Sequence, residues 1–169
     1  MILRLASRPL RTKFGTFEEI SYYDGQRESI ALVMGEVTGE DAVLCRIHSQ
    51  CIGGHIFNSV ECTCREEMAA AQEAISNAGR GVIVFLEQEG KGNGHLALVQ
   101  STPFKANGTS QADAYVEAGY RADGRDYMPA VQILTDLKVA SIVLLGGKAK
   151  AEALAQDGVI VKEVRPLSV

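Results

Sequence analysis

No stretch of this chain approaches the roughly 20 consecutive apolar residues that a membrane span requires. Residues Met1 to Arg11 lack a continuous apolar run and a small-residue cleavage site, because Arg4, Arg8 and Arg11 interrupt the apolar positions, so no secretory leader is expected there. A net charge of -4 without a long basic tract excludes general nucleic-acid binding and requires any phosphate site to be a local basic pocket. Internal repeats, low-complexity tracts and linkers are absent as well. What remains is a chain of 169 residues, 46% hydrophobic and 22% charged, which reads as a globular protein forming one domain over 1–169. Its expected location is the cytoplasm, with no membrane partner.

A reducing compartment leaves thiols free for metal or chemistry. Three of the four cysteines, Cys51, Cys62 and Cys64, form a C-x(10)-C-x-C cluster. That spacing points to metal rather than to a disulfide. Structural zinc closes its tetrahedron with four protein ligands, whereas catalytic zinc keeps three and leaves a position open. Ligand arithmetic therefore favours catalysis; the alternatives are a structural zinc completed by His48, His55 or His95, or no metal. Cys62 and Cys64 precede a predicted helix, whose dipole is expected to favour the thiolate. Cys45 lies within Val43–His48, a strand by its pattern, and reads as a buried bystander.

The first 50 residues read as short strands at Leu3–Leu10, Phe17–Tyr23, Ser29–Val37 and Ala42–His48, divided by turn signals such as Asp24-Gly25. From Cys62 the period changes. Met68, Ala71, Ala74 and Ile75 predict a helix over Arg65–Asn77 capped at Gly79, and Gly81–Leu86 is a buried strand. Helices follow around Leu96–Gln100, Ser110–Gly119, Tyr127–Leu137 and Lys148–Gln156, with strands at Ser141–Leu145 and Val159–Val164. The expected fold class is α/β, a mixed α+β domain: largely parallel in its second half, with antiparallel additions from the first.

Three loops carry candidate chemistry. Gln88-Glu89-Gly90-Lys91-Gly92-Asn93-Gly94 follows a buried strand and opens a helix, where backbone N–H groups can cradle an anion, although a tight glycine turn explains the spacing equally well. Gly146-Gly147-Lys148-Ala149-Lys150 places two lysines at a helix start; the positive end of the helix dipole does not favour cations, so they point to an anionic ligand or to a solvated turn. Asp123-Gly124-Arg125-Asp126 offers an ion pair, an aspartate cap for the next helix, or an acid/base with an anion clamp; by itself the cap is the simplest reading.

Taken together in this order, these segments resemble the GTP cyclohydrolase II family of zinc enzymes, which open the guanine imidazole ring at the start of riboflavin synthesis. Arg46-Ile47-His48-Ser49-Gln50-Cys51 is similar to the family's R-V-H-S-E-C, and Ser59-Val60-Glu61-Cys62-Thr63-Cys64 to its S-x-R-C-D-C. Gln88-Glu89-Gly90-Lys91 is similar to Q-E-G-R, and Ala122-Asp123-Gly124-Arg125-Asp126-Tyr127 to A-D-x-R-D-F. The resemblance implies zinc on Cys51, Cys62 and Cys64. It implies a nucleotide against Arg46, His48, Ser49, Gln50, Glu67, Glu89, Gly90, Lys91, Gln111, Gly146 and Lys150, with Mg²⁺ on its phosphates. Asp123 takes the family's proton-acceptor position and Arg125 the position assigned as nucleophile, although a guanidinium is a poor nucleophile and an electrostatic clamp is its physical role. A homodimer is also expected by resemblance.

The departures sit at the substrate end. Lys91 stands for an arginine, Glu67 for a glutamine, and His55 for an aspartate. The family's T-N-N-P-K-K loop becomes Gly146-Gly147-Lys148-Ala149-Lys150, and a tyrosine tied to formate release becomes Thr102, with Pro103 beside it. The expected function is therefore opening of the imidazole ring of GTP or a related purine nucleotide, stopping at the formamide or releasing formate and pyrophosphate. Two alternatives stand: a homologue acting on another nucleobase or nucleotide, and a non-catalytic nucleotide-binding protein with structural zinc.

Overall fold

The structure, a computed structural model, describes residues 1–106 and 108–169. Seven strands, β1 (Leu3–Thr12), β2 (Gly15–Tyr23), β3 (Glu28–Met34), β4 (Val43–Ser49), β5 (Gly81–Leu86), β6 (Ile142–Leu145) and β7 (Val161–Arg165), form one sheet in the order β1-β2-β3-β5-β4-β6-β7. The apolar runs of β5 and β6 are buried on both faces, as central strands must be. By contrast β1 is exposed along most of its length and carries Pro9, in keeping with an edge position.

Pairing changes character across the sheet. The pairs β1–β2, β2–β3 and β3–β5 are antiparallel, while β5–β4, β4–β6 and β6–β7 are parallel. Parallel neighbours need crossover connections, and the helices supply them. α1 (Ile52–His55) and α2 (Cys64–Ala78) join β4 to β5; a 3₁₀ turn at Gly90–Gly92, α3 (His95–Lys105), α4 (Gln111–Glu117) and α5 (Met128–Asp136) join β5 to β6; α6 (Lys148–Gln156) joins β6 to β7. α2 covers one face, where Ala71 and Ile75 pack with Phe17, Leu32, Ile83 and Leu145. On the other face Ala130, Ile133 and Leu134 of α5 and Ala151 and Leu154 of α6 meet Ile20, Ala31, Ile47, Val84 and Leu144. No helix among the described residues is long and apolar enough to cross a membrane.

The connection leaving β4 runs to β5 on one side, whereas that leaving β6 runs to β7 on the other. The adjacent carboxyl ends of β4 and β6 therefore flank a topological switch point, where open α/β sheets form ligand crevices. Two elements depart from the sequence pattern. α1 was not expected, because Ile-Gly-Gly-His has no helical period; its formation depends on Cys51, whose sulfur accepts from the Gly54 N–H at 3.4 Å as an N-cap. α3 runs five residues beyond Gln100, through Pro103, and the hydroxyls of Ser101 and Thr102 bond the Leu98 carbonyl where the proline disturbs the helical ladder.

Gly81 lets α2 settle on the sheet, since a Cβ there would lie 2.6 Å from Ile75 Cγ1 and 2.8 Å from the Leu44 carbonyl oxygen. Gly81→Ala is expected to cost about 2 kcal/mol through overpacking. A urea titration should show a lower midpoint at constant slope; an unchanged midpoint would contradict this packing.

Candidate active site

The candidate residues gather at the carboxyl edge of the parallel strands. Cys51 follows β4 and caps α1, Cys62 lies on the loop beyond, and Cys64 opens α2. Their sulfurs all lie within 4.8 Å of one another, with Cys51 and Cys62 at 3.6 Å. Tetrahedral zinc with ordinary Zn–S bonds sets its sulfurs about 3.8 Å apart, so the trio can hold such an ion. Gly54 makes the convergence possible: a Cβ there would stand 2.8 Å from the Cys62 sulfur and 3.5 Å from that of Cys51.

No histidine or carboxylate among the described residues joins this group. His55 accepts from the Cys51 N–H through Nδ1 at 3.3 Å and meets His48 through Nε2 at 2.9 Å, with both rings packed near Phe85. His95 lies against Glu89, at 3.6 Å. The expected thiolate-favouring field is also outweighed. Burial, with the neighbouring thiols, pushes Cys64 well above the ordinary thiol range, and burial raises Cys51 too. A cation among the sulfurs would supply the missing charge.

Beside the thiols, Glu89 is buried and accepts from the Ile52 N–H at 2.9 Å, tying the turn after β5 to α1. The same turn is stitched to the Asp123 loop. Gly124 donates to the Lys91 carbonyl at 2.8 Å, and a Cβ at Gly92 would lie 2.4 Å from the Gly124 oxygen. Positive φ at Gly90, Lys91 and Gly92 builds the tight turn. Asp123 does not cap α5, whose N-cap is Tyr127; Asp126, one residue before it, accepts from the Met128 N–H of the first turn at 2.8 Å. Asp123 instead takes the Arg125 guanidinium, with Nε 2.9 and 3.1 Å from its two oxygens. Burial would raise that carboxyl, but the Arg125 side-chain and backbone hydrogen bonds hold it below the usual range.

At the switch point Arg46 is buried, pairs with Glu67 of α2 and donates to the Leu145 carbonyl at 3.0 Å. Gly146 leaves room for it, since a Cβ there would stand 3.2 Å from the guanidinium. Lys150 reaches back from α6 to the Ile47 carbonyl at 2.6 Å, and both Lys150 and Arg125 lie over the Tyr127 ring. Burial, then Arg46 and Arg125, lowers Lys150 to about 8. Burial, then Arg46, likewise lowers His48 to about 3, which keeps it neutral. Gln50 and Cys51 line a cavity of about 380 Å³ with Ile52, His55, Ile56, Met68 and Phe85.

Other expected residues are placed differently. Gln111 donates to Ser101 at 3.2 Å, and Thr102 is exposed with its hydroxyl turned to Leu98. Ser49 accepts from Gln88 at 3.0 Å, and Gln88 accepts from the Asp126 N–H at 3.0 Å. Gln88 thus bridges β4 to the Asp123 loop. The sequence marks it only as part of a motif; its buried, fully bonded amide becomes visible in the folded turn.

The fold and this edge define an α/β protein with a metal-capable trio of thiols set beside a crevice lined with cations. The sequence profile described as GTP cyclohydrolase II matches residues 4–166. A GTP cyclohydrolase-2 of Streptomyces coelicolor is 38% identical over 98% of this chain and 76% of its own length. One from Aeromonas hydrophila is 36% identical, over 96% and 84% respectively. The riboflavin biosynthesis protein RibBA of Bacillus cytotoxicus is 39% identical over 80% of this chain but only 35% of its own. Among solved structures, a two-domain 3,4-dihydroxy-2-butanone 4-phosphate synthase from A. baumannii shares the fold at TM-score 0.55 and 20% identity, over 99% of this chain and 40% of that one. The chain belongs to the GTP cyclohydrolase II family.

Lys150 generates a pH-dependent prediction. Its pKa is lowered from 10.5 to about 8, so a phosphate placed beside it raises that value again and strengthens binding fully below pH 8. That gain is lost as pH rises through the bound-state pKa. Calorimetry in buffers of different ionisation heat should show proton uptake on GTP binding near pH 8.5, absent in Lys150→Met. Equal uptake in the variant would contradict the assignment.

Proposed function

We propose that this protein is a zinc-dependent hydrolase that opens the imidazole ring of GTP or a related purine nucleotide, the ring-opening step of riboflavin biosynthesis. The observation that carries the reading is the adjacency of the three thiols to the Glu89 turn and to the Asp123–Arg125 loop stitched to it, in a chain of this family. Bound by Cys51, Cys62 and Cys64, zinc would supply Lewis acidity toward water and a purine nitrogen at neutral pH. Arg46, Arg125 and Lys150 form the anion-binding side, with Mg²⁺ accompanying the nucleotide phosphates. The protein acts as a single-domain subunit, in a homodimer, in the cytoplasm.

Asp123 is the proton acceptor, and its pairing with Arg125 gives it a gate. While the guanidinium is bound to it, the carboxylate is a weak base; a phosphate drawing Arg125 away returns its pKa toward the ordinary value and makes it a better one. Arg125 then clamps the phosphate.

The second reading, a related substrate or an arrested reaction, draws on two observations. Glu67 is engaged by Arg46 rather than free to meet a base edge, and the Thr102 hydroxyl is bonded to its own helix. The zinc-loaded protein incubated with GTP and Mg²⁺ should consume GTP, with mass spectrometry reading a formamide product or its deformylated successor. Asp123→Asn should bind GTP and turn it over about 100-fold or more slowly. Intact GTP at stoichiometric zinc would exclude GTP as the substrate.

A further inference from the structure

We propose that the Tyr115 hydroxyl is a catalytic group, donating a hydrogen bond to the ring nitrogen that receives electrons as the purine is hydrolysed. The inference rests on the reading of the protein as a purine-opening hydrolase.

Tyr115 lies on α4 and is 1% exposed. The other fully buried tyrosine, Tyr22, spends its hydroxyl on Asp136 at 2.7 Å. Tyr115 has no hydrogen-bond partner among the described residues. Its oxygen is nevertheless not sealed in, since no enclosed side-chain nitrogen or oxygen among the described residues lacks a partner. A buried ring therefore carries a hydroxyl that keeps only a little accessible surface and no partner among the described residues, and a hydroxyl in such a place costs stability unless something meets it.

What it faces is the site. A Cβ at Gly90 would stand 3.3 Å from the Tyr115 oxygen, so the hydroxyl lies directly over the Glu89-Gly90 turn, and only a glycine leaves that approach open. Burial raises the phenol's pKa, and Glu89, Cys51 and Asp123 raise it further in that order. All three belong to the candidate site. The phenol is accordingly a neutral donor at physiological pH, never an acceptor by ionisation. α3 offers no equivalent, because its Thr102 hydroxyl is bonded to Leu98 at 3.0 Å.

In the step concerned, the oxygen of water bonds to the ring carbon and the C=N π pair moves onto nitrogen. One proton passes from water to the Asp123 carboxylate and from there to that nitrogen; the carbon's bond to the other ring nitrogen then breaks as the new hydroxyl gives up its proton, which the same carboxylate relays to the departing nitrogen, leaving a formamide on the first nitrogen and an amine on the second. Tyr115 keeps its proton throughout. It contributes where negative charge develops, the arrangement in which one preorganised donor has its largest effect on rate.

The test compares zinc-loaded wild type with Tyr115→Phe, which keeps the ring. Removing the donor should lower kcat for GTP about 100-fold with KM within about threefold of wild type, the signature of an interaction made only in the transition state. Zinc content and Tm should stay equal or, for Tm, rise. A wild-type kcat in the variant, a change confined to KM, or loss of zinc or folding would overturn the inference while an active wild type leaves the functional reading standing. A wild type that leaves GTP intact overturns both.

Discussion

Three sulfur atoms within 4.8 Å of one another cannot all ionise unless a cation stands among them, and the rest of the carboxyl edge is arranged around that constraint. The sulfurs meet because Gly54 has no side chain and because Cys51 closes the first turn of α1. α1 in turn presents the Ile52 N–H to Glu89, which fixes the turn after β5, and that turn holds the Asp123 loop through Lys91 and Gly124. A chain of short contacts therefore leads from the thiols to the Asp123 loop, with the buried Glu89 carboxylate as its side-chain link.

The cations of the crevice follow a second rule. Arg46 and Arg125 are each balanced by a carboxylate, Glu67 and Asp123, while Lys150 is balanced by burial, which lowers its pKa. Keeping cations close together without a ligand is costly, and each of these pairings lessens that cost in a way an anion can reverse. An anion bound here would thereby couple its binding to the protonation of Lys150 and Asp123.

Much of this was legible in the chain. The strands and the long helices followed from hydrophobic period, and the change from antiparallel to parallel pairing followed from the switch to strand–helix alternation. The thiol trio was legible because cysteines at short spacing have few other uses in a reducing compartment. Other features depend on contacts that no local pattern encodes. Arg46 and Glu67 are 21 residues apart, α1 forms from a glycine pair with no helical signature, and the pairing of Asp123 with Arg125 in place of a helix cap is set by the loop's folded shape. At Cys64, burial and the neighbouring sulfurs outweigh the helix dipole while no cation stands among the thiols. Tyr115 was invisible as a site residue because an aromatic on a buried helical face reads as core, and its ring is core; only the position of the hydroxyl over Gly90 separates it from a phenylalanine.

The central claim is that the trio holds a metal ion with a coordination position left for chemistry on a nucleotide. Replacing zinc with Co²⁺ and recording the absorption spectrum tests it most directly, since thiolate-to-cobalt charge transfer reports the sulfur ligands and the visible d–d bands report the remaining position. The account predicts charge transfer from three thiolates, reduced in each Cys→Ala variant, and d–d bands that shift when GTP is added. A spectrum without thiolate charge transfer, or one that a saturating nucleotide leaves unchanged, would contradict it.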